Sequence, residues 1–251
     1  MMVQHILHLQ FKIFRMKNII IIILTTFLGS SINAQVIPFG FIKSTNLTIP
    51  SVTIGTQVWT DKNLDVTTYL DGTVIPQVTD ATTWASLTTG AWCYYNNDPA
   101  NGAIYGKLYN WYAVMGISTA ESATPTSSEI AARKKLAPEG WHIPTDAEWT
   151  TLTTSLGGVT LAGGKMKSTG TSLWISPNSG ATNESGFTGL PGGYRIYGGP
   201  FNGVGYYGVW WSATQSNSTN ALFHFLFYSF GDILSSNGNK RYGFSVRCLR
   251  D

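Results

Sequence analysis

The run Ala221 to Tyr228, ALFHFLFY, is apolar at seven of its eight positions. Side chains alternate across a strand, so this segment presents apolar groups on both faces. Only a central strand with a covering layer on each side hides both. Phe187 to Leu190, Val209 to Thr214 and Gly243 to Leu249 are short apolar stretches separated by glycines, the chemistry of strands and turns. The later part of the chain therefore predicts an antiparallel sheet with Ala221 to Ser229 at its centre.

The earlier part carries helices. Thr145 can cap a first turn, and Glu148 three residues on completes a capping box. Trp149, Leu152 and Leu156 line one face of that helix, and Gly157-Gly158 stop it. Tyr105 to Met115 has Leu108, Trp111, Tyr112 and Met115 at helical spacing, although its ring content also suits a strand. Glu129 to Leu136 predicts a short helix, and Val52 to Trp59 a strand with a turn at Gly55. The fold class is α+β: two or three short helices packed on antiparallel sheet, with long irregular loops.

Charged residues make up 12% of the 251 residues, about half the usual share, while aromatics reach 13% and glycines number 27. That excludes a disordered chain. No linker, charge block or repeat interrupts Ser51 to Asp251, so 51–251 is one domain. Gln35 to Pro50 is a polar tether or an edge strand.

The first 34 residues differ from the rest. Met16-Lys17-Asn18 leads into Ile19 to Leu28, ten residues without a charge, and then a small-residue stretch ending at Ala34. This is the pattern of a secretory signal peptide over 16–34, too short in its apolar core to span a bilayer. Met1 to Arg15 fits that pattern poorly and suggests an over-extended start. No cysteine lies near the expected cut, so a lipid anchor is not expected. Lys12, Arg15 and Lys17 leave with the presequence. The formal charge of +3 then falls to zero, and with it any general attraction to nucleic acid. The expected product is exported, without a transmembrane segment in its mature part.

Six segments together carry a resemblance. They are QVWTDKNLDV at 57–66, YGKLYNWYAV at 105–114, LAPEGWHIPTDAEWTTL at 136–152, LPGGYR at 190–195, WWSAT at 210–214 and YGFSVRCLRD at 242–251. In their order and spacing the chain resembles the Fibrobacter succinogenes major paralogous domain family of secreted bacterial proteins. The resemblance covers essentially all of 51–251. It implies the fold of formylglycine-generating enzymes, a branch of the C-type lectin-like fold. HIPTDAEW at 142–149 is similar to the RLPTEAEWE segment of that superfamily. The family has no generally assigned activity, so the resemblance implies a compartment and a fold more than a reaction.

Few residues offer chemistry. In an exported protein the two cysteines, Cys93 and Cys248, are expected to form one bridge. It would close a loop of about 155 residues and contribute up to roughly 5 kcal/mol. The alternative is a reactive pair, but formylglycine-generating enzymes place both catalytic cysteines late and only Cys248 lies there. His142 and His224 have no partner at metal-ligand spacing and read as structural or core residues. Asn97, Asp98 and Asn101 form either an Asx-rich turn or a weak calcium site. The sugar-chelating tripeptides of C-type lectins are absent. Gly163-Gly164-Lys165 lacks the spacing of a phosphate loop.

Tyr194 to Trp211, YRIYGGPFNGVGYYGVWW, is the stretch richest in rings and glycines. Its rings serve either to pack long loops or to stack on sugar faces. Trp210 and Trp211 read as core, and Tyr197, Phe201, Tyr206 and Tyr207 as candidates for ligand contact. The function expected is that of an exported, non-catalytic surface module binding a glycan or a protein, with no cofactor required. A formylglycine-generating-like enzyme and a structural surface component are the alternatives. Oligomeric state is not legible.

Overall fold

The computed structural model describes residues 49–117, 128 and 133–251, together with the backbone of 11–16 and 19–24. The chain divides into two units, Met1–Leu47 and Thr48–Asp251. In the first, β1 (Phe11–Met16) pairs antiparallel with β2 (Ile19–Leu24), part of the apolar core expected of a presequence. Its unbroken isoleucines favour extended backbone.

The second unit begins with a hairpin, β3 (Ser51–Ile54) and β4 (Gln57–Thr60), turning at Gly55 with φ +59° as expected. α1 (Ala81–Ala85), β5 (Trp92–Cys93) and α2 (Pro99–Tyr105) follow. The single helix considered for Tyr105 to Met115 is instead divided. α2 ends at Tyr105, Gly106 turns the chain at φ +76°, β6 (Leu108–Tyr109) pairs with β5, and α3 (Trp111–Met115) starts afresh. The break is set by Asn110, whose side chain caps α3 by accepting from the Ala113 N–H at 3.0 Å. The helix expected over Glu129 to Leu136 lies mostly outside the described residues, and 133–136 is not helical.

β7 (Trp141–His142) precedes α4 (Asp146–Ser155), which has the complete Thr145/Glu148 capping box. α5 (Val159–Met166) contains Gly163 and Gly164, an unexpected place for glycine. Space explains it. A Cβ at Gly163 would lie 2.0 Å from the Asp232 carbonyl oxygen, and one at Gly164 2.3 Å from that of Gly180.

The later part is strand-rich: β8 (Gly192–Arg195), β9 (Phe201–Val204), β10 (Tyr207–Gln215), β11 (Asn220–Phe227), β12 (Ile233–Asn239) and β13 (Leu249–Arg250). β11 is the central strand of β10-β11-β12. A second sheet has the order β3-β4-β13-β7, so the last strand closes against the first hairpin. All these pairings are antiparallel. The fold is α+β, with short helices and several antiparallel sheets.

Two strand expectations are corrected. Phe187 to Leu190 makes only one bridge, Lys167 to Gly189, because Thr188 turns with φ +52°, its N–H donating to Asn183 Oδ1 and its hydroxyl to the Gly186 carbonyl. Gly243 to Leu249 bridges three different segments through Gly243, Phe244 and Ser245 before β13 begins.

The two faces of β11 meet different surroundings. His224 and Leu226 face α4 and α5, within a core that includes Trp149, Met166 and Trp210. Phe223 and Phe225, on the other face with Val209 and Trp211 of β10, pack into a second core with Phe244. Among the described residues no helix covers this second face completely, and Phe223, Phe225 and Phe227 stay partly exposed.

Candidate binding groove

On the second face of β10-β11-β12 lies a groove of about 270 Å³. Phe223 and Phe225 come from β11, Tyr207 from β10 and Tyr194 from β8, while Tyr242 and Phe244 come from the segment before β13. Val209 and Phe244 are buried at its base. Register explains the assembly: Val209 pairs with Phe225, and Phe223 with Ser236 of β12, so alternate residues of three strands share one face.

The rings hold one another. Phe223 lies 4.7 Å from Phe244, Tyr242 stacks on Phe244 at 5.2 Å, and Tyr194 meets Tyr207 edge-on at 6.0 Å. Burial raises the Tyr194 and Tyr242 phenols above their usual range, and neighbouring tyrosines add to the rise. Both stay neutral at physiological pH. No charged side chain lines the groove.

The predicted ring candidates separate. Tyr207 forms a wall of the groove. Tyr197 is 45% exposed and meets the groove residue Tyr242 edge-on at 5.3 Å. Tyr206 is 42% exposed but packs against Tyr228, outside the lining. Phe201 is not offered to a ligand. It packs on Tyr95 at 5.4 Å with the Arg195 guanidinium 4.8 Å over its face. Trp210 and Trp211 are fully buried, as expected. Phe223, Phe225, Tyr242 and Phe244 were missed, although a ring at every second position of ALFHFLFY marks one face of a strand.

The expected Cys93–Cys248 bridge does not form; both are free, buried thiols. Cys93 packs with Trp84, Ala91, Tyr95 and Leu108, whereas Cys248 belongs to the core beneath the groove. Burial pushes each thiol up to about 12, with Arg195 and Arg247 opposing. Neither supplies a thiolate at neutral pH.

The remaining candidates are held by the frame. Asp98 caps α2 by accepting from the Ala100 N–H at 2.9 Å, and the amides of Asn97 and Asn101 donate to the Thr79 and Tyr95 carbonyls. Among the described residues, no group of three or more His, Cys, Asp or Glu is placed to hold a metal ion. His224 stacks on Trp149 at 4.8 Å and pairs with Asp146 at 3.0 Å. Burial lowers its pKa more than Asp146 raises it. His142 bridges Asp251 at 2.7 Å and Glu148 at 2.9 Å. Burial opposes its charge, but the two carboxylates prevail and raise its pKa.

A polar cavity of about 390 Å³ is lined by Asp61, Asn63, Tyr105 and Arg247 among others. Arg247 is spent on the frame there. It donates to Asn63 Oδ1 at 2.8 Å and to the Thr60 and Thr188 carbonyls, with its guanidinium over Phe187.

A family model, the Fibrobacter succinogenes major domain, matches residues 52–250. The chain belongs to this family. The Fibrobacter succinogenes major domain thus spans the whole second unit except its outermost residues, and every residue of the groove lies within it. No curated protein and no solved structure matches the chain. No helix among the described residues is long and apolar enough to cross a membrane.

Proposed function

We propose that the domain is a non-catalytic binding module of C-type lectin-like fold, exported to the cell surface, that recognises a glycan or a protein through the groove on β10-β11-β12. One observation carries this reading. Six rings converge on a concave, uncharged site at which no nucleophile, activated acid or metal cluster is assembled. Rings held rigidly by one another offer apolar area at little entropic cost. The signal-like stretch from Met16 to Ala34 supports export. The buried, protonated thiols speak against a formylglycine-generating reaction, which needs accessible cysteines.

The test is a binding screen of the purified protein on immobilised glycans and peptides, wild type against Tyr207→Ala. The expected result is a ligand held by the wild type and weakened at least tenfold by the substitution. The reading fails if nothing binds, or if Tyr207→Ala stays folded and binds unchanged.

A further inference from the structure

The polar groups around the groove narrow its ligand. The hydroxyls of Tyr194, Tyr207 and Tyr242 make no hydrogen bond to the protein among the described residues, nor does that of Ser236, which shares the register position of Phe223. Four hydroxyls that both donate and accept thus surround rings that carry no charge. An anionic ligand finds no counter-charge in this lining. A ligand with hydroxyls on its edge and C–H groups on its face satisfies both kinds of wall at once.

Gly238 supplies the second observation. It lies inside β12 and its φ is not in the left-handed region, so the backbone there does not require glycine. Glycine weakens a strand interior and marks places where something approaches closely. A Cβ at Gly238 would lie 3.1 Å from Phe223 Cε1 and 3.3 Å from Tyr242 Cδ2, directly between two groove rings. Gly238 is buried, and its missing side chain lets the Phe223 and Tyr242 rings close down on the β12 backbone, which sets their positions in the groove.

We infer that the groove binds a neutral carbohydrate, with one sugar ring seated on the partly exposed rings of Phe223, Phe225 and Tyr242 and its hydroxyls meeting Ser236 and the tyrosine phenols. This rests on the reading of the groove as a binding site. A folded protein partner fits less well. A stable protein interface covers roughly 800 Å² on each side, whereas, beyond Tyr197 at the groove's edge, the exposed apolar side chains Leu70, Val74, Val159 and Leu161 are not part of the lining.

The experiment is calorimetric titration of the purified protein with cello-, manno- and malto-hexaose, and separately with a proline-rich decapeptide. The last is the other uncharged ligand that aromatic grooves accept. The expected result is binding of at least one oligosaccharide. Gly238→Val and Tyr242→Ala should weaken it at least tenfold, and Ser236→Ala two- to tenfold. Ser236 is exposed, so its variant tests the inference even if the others unfold. Peptide binding that depends on Tyr207, without sugar binding, overturns the carbohydrate inference and leaves the groove reading intact. Sugar binding indifferent to Ser236→Ala and to a folded Gly238→Val also overturns the inference. Silence toward every probe removes both.

Discussion

Replacing Arg195 by methionine should unlock one corner of the domain. Arg195 is 1% exposed and forms no ion pair among the described residues. Its guanidinium donates to the carbonyls of Val78 at 2.6 Å, Thr79 at 2.8 Å and Gly199 at 2.8 Å, and lies 4.4 Å over Trp84. Bonds from a charged donor contribute about 1.5–3 kcal/mol each, so three amount to about 4.5–9 kcal/mol gross. Removing a buried cation returns several kcal/mol of desolvation. The net loss expected for Arg195→Met is therefore about 2–4 kcal/mol, or about 5–15 °C in Tm for a domain of this size. Urea unfolding followed by tryptophan fluorescence measures it. The loss should also be local, because Arg195 lies beside the Cys93 thiol. In native protein neither thiol should react with Ellman's reagent; in the variant Cys93 should react before Cys248. Arg195→Lys keeps the charge but not the fork, and should fall between. A variant within about 0.5 kcal/mol of wild type, with both thiols still protected, would refute the reasoning.

Two pH dependences follow from Lys167 and from the two histidines of the domain. Lys167 is fully buried and donates to the Ser179, Phe227 and Phe230 carbonyls; burial lowers its pKa from 10.5 to about 8. Between those values the unfolded chain binds the proton and the folded one does not, so stability rises with pH by up to about 3 kcal/mol. The difference between wild-type and Lys167→Met urea curves isolates this from the tyrosines, and a flat difference from pH 8 to 10.5 counts against it. His142, raised, contributes stability below pH 6.5 that is lost as pH climbs through its folded pKa, whereas His224, lowered, contributes stability above pH 6.5 that is lost on acidification. Histidine NMR titration should place the two on opposite sides of 6.5; both on one side would contradict the contacts described.

Signals carried by neighbouring residues were legible. The capping box at Thr145 and Glu148, the turn at Gly55 and the central position of β11 each depend on a few consecutive positions, and each is present in the structure. β12 was not legible, because ILSSNGN has no alternation and becomes a strand only through seven paired positions on β11. α5 was not legible either, since its two glycines answer to the Asp232 and Gly180 backbones. The disulfide failed for a related reason. Two cysteines in an exported chain suggest a bridge, but packing assigns Cys93 and Cys248 to different cores.

Long loops leave many backbone carbonyls to satisfy away from regular pairing. Here indoles and buried cations serve that need. The N–H groups of Trp84, Trp92, Trp111 and Trp211 donate to the carbonyls of Arg241, Ile75, Ser212 and Tyr109, as Lys167, Arg195 and Arg247 do elsewhere. The high tryptophan and low charge content thus have one cause: the few cations and the indoles are used inside as hydrogen-bond donors. The groove has a related origin. β11 is apolar on both faces, but α4 and α5 cover only one. On the other, β8 and the Tyr242–Phe244 segment cover the sheet incompletely, so its rings meet both core and water. The floor accordingly uses phenylalanine, at 223, 225 and 244, while tyrosine at 194, 207 and 242 brings to the walls a phenol with no hydrogen-bond partner among the described residues. Packing alone is indifferent to those three hydroxyls; a ligand that donates and accepts hydrogen bonds is not.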